Sequence, residues 1–291
     1  MLYDISLRIS YAYDNDADSS RHVLRLMPAD LPGEQRLIAG NLDIQPRPDE
    51  WVSGTDFFGN RFSQIAFRKA HREIVFNMHA RVERYESSAP LDMSPSLDTL
   101  GRDVQVWAGL GPLAPHHFIG VSPLVPQSVA TSSFSHGLLS SKQTAFSAVR
   151  TIGNALNREL TYDDEATSVD TPMEEAFAAR RGVCQDFTHV MISCLRSVGI
   201  PAGYVSGFLR TVPPPGQPRM EGADAMHAWV RAWCGADMGW VEYDPTNAID
   251  VGMDHIVVAR GRDYSDIAPV RGQMRSYGDH TTAQSVDVLP L

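Results

Sequence analysis

The spacing of apolar residues changes near residue 142, and this change divides the chain into two kinds of structure. Before residue 85, apolar and polar residues alternate, which is the pattern of half-buried strands. The first such segment runs from Leu2 to Tyr13, and further candidate strands lie at 21–27, 36–45, 51–57, 61–68 and 73–84. Turn-forming residues separate these segments. We therefore predict an N-terminal antiparallel β-sandwich domain over residues 1–90.

The rest of the chain predicts helices followed by strands. Residues 91–141 are rich in Pro, Ser, Leu and Gly, so we predict an irregular linker with one short helix near 97–108. Apolar residues then recur with helical spacing at 142–158 and at about 184–198. Strands are predicted at 202–211, 226–234, 239–244 and 254–260, with a last one near 284–289. The fold class is therefore α+β, with a second domain over residues 142–291.

The composition narrows the class of protein. The chain has 291 residues, of which 43% are hydrophobic and 21% charged, as in ordinary globular proteins. A net charge of −10 without a basic stripe argues against a nucleic-acid partner. No apolar run approaches the roughly 18 residues of a membrane span, and the first residues lack the features of a secretory signal. We expect a cytoplasmic protein without membrane or nucleic-acid partners, whose oligomeric state the sequence leaves open.

One cysteine lies where a reactive thiol is favoured. Cys184 follows Gly182 at the predicted start of a long helix, whose unpaired N–H groups and positive dipole end favour an anion such as a thiolate. The same N–H groups suit a developing oxyanion. The alternative is a small residue packed at a helix start. Cys184 lies off the apolar stripe that includes Cys194, which weakens that alternative.

A histidine and an aspartate occupy two neighbouring predicted strands. If these strands pair with His227 opposite Asp244, Trp229 lies opposite Glu242, and the carboxylate can hold the imidazole in one tautomer. Taken singly, His227 is also explained as a half-buried strand residue and Asp244 as a turn residue before Pro245. Together with Cys184, the order predicts a thiol nucleophile, a general base and an orienting carboxylate.

The remaining cysteines and histidines fit structural roles. Three cysteines without a Cys-x-x-Cys spacing form neither a disulfide framework nor a zinc site, and we expect no metal or other cofactor. Cys194 and Cys234 are predicted to be buried and inert. His189 lies about 140° round the helix from Cys184, so it does not face the thiol well.

Four segments together resemble the bacterial transglutaminase-like superfamily, in its cysteine-protease type with an N-terminal β-domain. They are Arg-Arg-Gly-Val-Cys-Gln-Asp-Phe-Thr-His, Gly-Ile-Pro-Ala-Gly-Tyr-Val-Ser-Gly, Asp-Ala-Met-His-Ala-Trp-Val and Gly-Trp-Val-Glu-Tyr-Asp-Pro-Thr-Asn. The resemblance covers roughly 145–270, and Arg25-Leu26-Met27-Pro28 and Asp56-Phe57-Phe58-Gly59-Asn60 extend it to the N-terminal part. It implies a papain-like, transglutaminase-like catalytic core, in which a helix carrying the cysteine packs on an antiparallel sheet. It also implies that Cys184 is the nucleophile, His227 the base and Asp244 the orienting acid.

The resemblance implies acyl transfer from an amide through a thioester, to water or to an amine. We expect a hydrolase acting on peptide or protein amides, since the sequence contains no calcium loop of the Asp-x-Asp-x-Asp-Gly kind. Transglutamination is the alternative within this chemistry. A peptide-binding module without turnover is the alternative from another class. Because an amide can still accept a hydrogen bond, we also expect Asp244→Asn to keep more activity than His227→Ala.

Overall fold

A long first strand organises the N-terminal sheet. The computed structural model describes residues 1–86, 91–211, 220, 222 and 224–291. Strand β1 (Leu2–Leu24) pairs antiparallel with β5 (His71–Arg84) along its first part and with β4 (Arg61–Phe67) along its last part. Beyond these, β2 (Gln35–Gln45) pairs with β5, and β3 (Glu50–Thr55) pairs with β4. The predicted alternation is confirmed in β1, whose side chains turn into the core at every second position, as at Ile5, Leu7 and Ile9.

The chain returns to this sheet at its C-terminal end. Strand β13 (Val270–Arg275) pairs with the last part of β1, and β14 (His280–Pro290) pairs with its first part. Strand β14 contains the strand predicted near 284–289, and its Val286 and Val288 are buried. The last part of the range predicted as the second domain thus lies in the first sheet, because these apolar side chains complete its core.

In sequence, most of the helices precede the second sheet, and the last one lies between that sheet and β13. They are α1 (Leu97–Val106), α2 (Val129–Leu138), α3 (Ala145–Glu159), α4 (Met173–Ala179), α5 (Cys184–Ser197) and α6 (Tyr264–Ile267), with a 3₁₀ turn at Pro115–Phe118. Helix α2 lies in the predicted irregular linker. Its buried face is polar, and Thr131 Oγ1 lies 2.8 Å from Ser193 Oγ of α5, so hydrophobic periodicity could not indicate it. Among the described residues, no helix combines the length and the apolar character needed to cross a membrane.

A second antiparallel sheet packs against α5. Its strands are β8 (Ala202–Leu209), β9 (Ala225–Trp233), β10 (Trp240–Asp244), β11 (Ile249–Asp250) and β12 (His255–Gly261), in the order β11-β10-β9-β8-β12. A short parallel pair, β6 (Thr161–Tyr162) and β7 (Arg181–Gly182), precedes α5. The apolar stripe of α5 is buried, including Phe187, Val190, Met191, Cys194 and Leu195. The structure therefore confirms an α+β fold, in which an N-terminal antiparallel β domain is followed by a helix packed on a second antiparallel sheet.

Two amide side chains join the sheets. Gln35 Nε2 donates to the carbonyl of Val257 at 2.8 Å, and the Val257 N–H donates to Gln35 Oε1 at 2.9 Å. Asn60 makes the same reciprocal pair with the backbone of Arg260, at 2.8 Å in both directions. Because an amide side chain presents both a donor and an acceptor, it pairs with β12 as another strand would.

The predicted register between β9 and β10 is wrong by two residues. Glu242 pairs with Arg231 rather than with Trp229, and Trp240 pairs with Trp233. A shift of two residues keeps every side chain on its predicted face, whereas a shift of one would reverse it. The tight connection, in which Cys234 N–H donates to Gly239 O, sets the observed register. The predicted side-chain partners consequently meet along the diagonal of the ladder.

Candidate active site

The first turn of α5 places Cys184 at a helix N-terminus. Asp186, in this first turn, folds back, and its Oδ2 accepts hydrogen bonds from Val183 N–H at 2.8 Å and from Thr167 Oγ1 at 2.6 Å. Gly182 makes room for this contact, since a Cβ there would lie 2.4 Å from Asp186 Oδ2. The side chain of Asp186 therefore caps the N-terminus of the helix.

Two backbone N–H groups at this helix end remain open. The N–H groups of Asp186 and Phe187 both donate to Val183 O. Within the described part of the chain, no hydrogen bond from the backbone N–H of Cys184 or Gln185 is found. These donors, next to the half-buried thiol, suit an oxyanion formed on a carbonyl bound to Cys184 Sγ.

His227 joins the thiol to a buried carboxylate. Its Nε2 donates to Asp244 Oδ2 at 2.8 Å, which leaves Nδ1 available to Cys184. The side chain of Asp244 is fully buried and that of His227 nearly so. Although the backbone register differs from the predicted one, the structure brings Cys184, His227 and Asp244 together.

The interactions of His227 with Asp244 and Cys184 favour a protonated histidine. Burial alone would lower the pKa of His227, but hydrogen bonds with Asp244 and with Cys184 outweigh it and raise that pKa to about 10. Burial would raise the pKa of Asp244, but the hydrogen bonds from His227 and His255 hold it well below its usual range. An imidazolium is the charge state of histidine that stabilises a neighbouring cysteine as its thiolate, the form that attacks a carbonyl.

A second histidine belongs to the same network and was missed at the level of sequence. His255 Nε2 donates to Asp244 Oδ2 at 3.2 Å, while its Nδ1 accepts from Gly252 N–H at 3.4 Å. Asn247 Nδ2 also donates to Asp244 Oδ2, at 2.7 Å. The signal for Asn247 was its place three residues after Asp244. His255 carried no such local signal, because β12 meets β10 only through the folded sheet.

Among the described residues, His227, Asp244 and His255 form a group whose side-chain atoms lie close enough to hold a metal ion. One ligand atom each of His227, Asp244 and His255 lies within 4.8 Å of the others, and all three residues are buried. Both Nε2 atoms point at one carboxylate oxygen, and Nδ1 of His255 already accepts a hydrogen bond. The arrangement therefore satisfies itself as a histidine–aspartate–histidine hydrogen-bond network.

The other two cysteines are buried, as predicted. Cys194 and Cys234 are fully buried, and burial raises the pKa of Cys194 to about 12 and that of Cys234 further. His189 is buried as well and accepts a hydrogen bond from Tyr264 N–H at 3.2 Å. Burial lowers the pKa of His189 to about 4, so it stays neutral and supports α6 instead of facing the thiol.

Two tyrosines lie near the thiol. Burial raises the pKa of Tyr264 to about 12, and the nearby Tyr11 and Cys184 add to this rise. Burial raises the pKa of Tyr162 too, again with a contribution from Cys184, although this residue is 56% exposed. The side chain of Gln185 is tied to the Val169 carbonyl at 3.1 Å. Of these two tyrosines near the thiol, Tyr162 is open to solvent.

Comparison with known families matches both parts of the chain. A model of the transglutaminase-like superfamily matches residues 132–245, which include all three candidate residues. A model of the bacterial transglutaminase-like N-terminal region matches residues 3–83.

Relatives and a solved structure extend over the whole chain. Proteins of Mycobacterium bovis and Mycobacterium tuberculosis, both named as uncharacterized, are 34% identical over 99% of this chain and 93% of their own length. A crystal structure from Cytophaga hutchinsonii, named a "putative cysteine protease", covers 99% of this chain and 90% of its own, with a TM-score of 0.76 and 20% identity. At that identity the likeness concerns the fold.

Proposed function

Because the chain belongs to the transglutaminase-like superfamily, we propose that it is a cysteine-dependent acyl-transfer enzyme acting on amide bonds. The observation that carries the proposal is the position of His227, which is hydrogen-bonded to a buried carboxylate and lies near enough to the thiol at a helix N-terminus for Cys184 to raise its pKa. This is the constellation that thiol nucleophiles need for activation. The name of the Cytophaga hutchinsonii protein points in the same direction.

The proposed reaction begins with the thiolate of Cys184. The Cys184 proton passes to His227, and Sγ attacks the amide carbonyl carbon. The resulting oxyanion is stabilised by the backbone N–H groups at the start of α5. The C–N bond then breaks, and His227 gives its proton to the leaving amine. A thioester on Cys184 remains.

The second half releases the acyl group. His227 takes a proton from water, the hydroxide attacks the thioester carbonyl, and Cys184 leaves as the thiol. Throughout, Asp244 keeps the Nε2–H of His227 directed away from the thiol and stabilises the imidazolium. We propose water as the acceptor, and peptide or protein amides as substrates in the cytoplasm.

The acyl-enzyme intermediate is the direct test. Incubation with a library of peptide amides followed by intact-mass spectrometry is expected to show an adduct on the wild type and on Cys194→Ala, but none on Cys184→Ala. Turnover by the Cys184→Ala variant would refute the mechanism. Adding a primary amine distinguishes the acceptors, because a transglutaminase would yield the acylated amine as product. A peptide-binding module would bind the peptides without an adduct.

A further inference from the structure

A cavity of about 380 Å³ lies between the N-terminal sheet and the core. Arginines from both sides line it: Arg84 ends β5, Arg231 lies on β9 and Arg260 lies on β12. Their relative exposures are only 8%, 4% and 9%. Three buried guanidinium groups around one cavity need an explanation, because burying an unpaired charge is costly.

Both glutamates at the cavity form ion pairs with the same arginine. Arg260 forms ion pairs with Glu34 and, at 2.6 Å, with Glu242. Arg84 Nη1 donates to the backbone carbonyl of Glu34 at 3.2 Å. Asp250 also lines the cavity but pairs with Arg150. Three arginines thus face two glutamates, of which Glu34 is half exposed. The cluster carries an excess positive charge.

Arg231 lies opposite Glu242 in the β-ladder but forms no ion pair with it. Its guanidinium stacks over the ring of Trp240 at 4.2 Å from the centroid. Across the described ranges, no carboxylate lies within ion-pair distance of Arg231, and no hydrogen bond from its guanidinium is found; its Nε is buried without a partner. The Nε atoms of Arg84 and Arg260 are also buried without partners. Stacking on Trp240 stabilises the cation but supplies no acceptor for its N–H groups.

We propose that this cavity binds a small oxyanion, with Arg231 as its main ligand and Arg84 and Arg260 beside it. The planar fork of a guanidinium suits two oxygens of a carboxylate, sulfate or phosphate group. The surroundings of Arg231 agree with this, because burial and the neighbouring Arg260 lower its pKa to about 9 although Glu242 and Glu34 act in the opposite direction. Since Arg84 belongs to the first sheet and Arg231 to the second, the bound anion joins the two sheets.

Thermal unfolding at constant ionic strength tests the proposal. Sodium chloride is replaced stepwise by sodium sulfate, phosphate or acetate, and the melting temperature is followed in wild type, Arg231→Met and Arg72→Met. Arg72 is an exposed β5 arginine paired with Asp16 and serves as the control. We expect a saturable rise of about 5 °C in the wild type and the control near a hundred times Kd, and no saturable rise in Arg231→Met. The anion that saturates at the lowest concentration distinguishes inorganic oxyanions from carboxylates.

Several outcomes would overturn the inference. Sulfate also stabilises proteins by exclusion from their surface, so a rise that is linear and equal in all three proteins counts against a site. So does the absence of a saturable rise in the wild type. If Arg231→Met does not fold, Arg84→Met tests the opposite wall in the same assay and is expected to weaken the saturable rise. A selenate soak of wild-type crystals should give an anomalous peak beside Arg231, and a peak elsewhere only would contradict the proposal.

Discussion

Asp244→Asn is a sharp test of the proposed mechanism, because hydrogen-bond donors converge on both oxygens of Asp244. Oδ2 accepts from His227 and His255 and from the side chain of Asn247. Oδ1 accepts from the backbone N–H groups of Thr246 and Asn247, at 2.9 and 3.2 Å. An asparagine can offer a carbonyl oxygen at only one of these two positions. Its NH₂ group must face at least two donors at the other.

The expected cost follows from this count. A buried donor left without an acceptor costs about 1–3 kcal/mol, so two cost about 2–6 kcal/mol in stability and in the orientation of His227. In the serine-protease triad, the same change lowers kcat by about 10⁴ through the wrong histidine tautomer. A thiolate–imidazolium pair formed before substrate binds should soften this, and we expect a loss in kcat of about 10³ for Asp244→Asn. The converging donors make this penalty larger than the sequence alone suggested.

The assay compares kcat and KM of wild type, Asp244→Asn and His227→Ala on one amide substrate, with unfolding curves for each. Asp250→Asn is the control, since Asp250 is exposed on β11 and pairs with Arg150 outside the site. We expect His227→Ala to be the least active and Asp250→Asn to match the wild type. A kcat within tenfold of wild type for Asp244→Asn would refute the orienting role. A loss as large as in His227→Ala would contradict the preformed ion pair.

Three further predictions follow from the same geometry. His255→Phe should lower kcat about tenfold, because it removes one hydrogen bond to the charged Asp244. His255→Asn should recover part of this loss, because asparagine supplies a donor. If kinetics at several pH values show no loss for either variant, His255 does not belong to the network. Gly182→Ala should destabilise the fold by about 1–3 kcal/mol in urea titrations by displacing Asp186, whereas Gly101→Ala, on an exposed helix position with free space, should be neutral or slightly stabilising. Because the folded pKa of His227 is raised to about 10 from 6.5, its contribution to stability is complete below pH 6.5 and is lost as pH rises towards 10. Urea titrations at pH 6 and 9.5 should therefore show a larger fall in stability for wild type than for His227→Gln, and equal falls would contradict the raised pKa.

Short-range patterns in the sequence were enough to locate most elements and the parts of the candidate site that depend on one element. The helix beginning at Cys184 follows from its apolar stripe and from Gly182, and Cys194 lies buried on that stripe. Alternation along β9 and β10 placed His227 and Asp244 on one face, because the side-chain period of a strand is two. That prediction survived a register error, since the error was an even number of residues.

Contacts between distant segments required the folded chain. His255 reaches Asp244 only because β12 and β10 belong to one sheet, and strands β13 and β14 return to β1 across the whole length of the sequence. The three arginines of the proposed anion site come from three strands and both sheets. Sequence periodicity reports which face of an element is buried, but it carries no information on which element covers that face. Tertiary packing alone decided that a second histidine would share the carboxylate and that Arg231 would be buried with its guanidinium over the ring of Trp240.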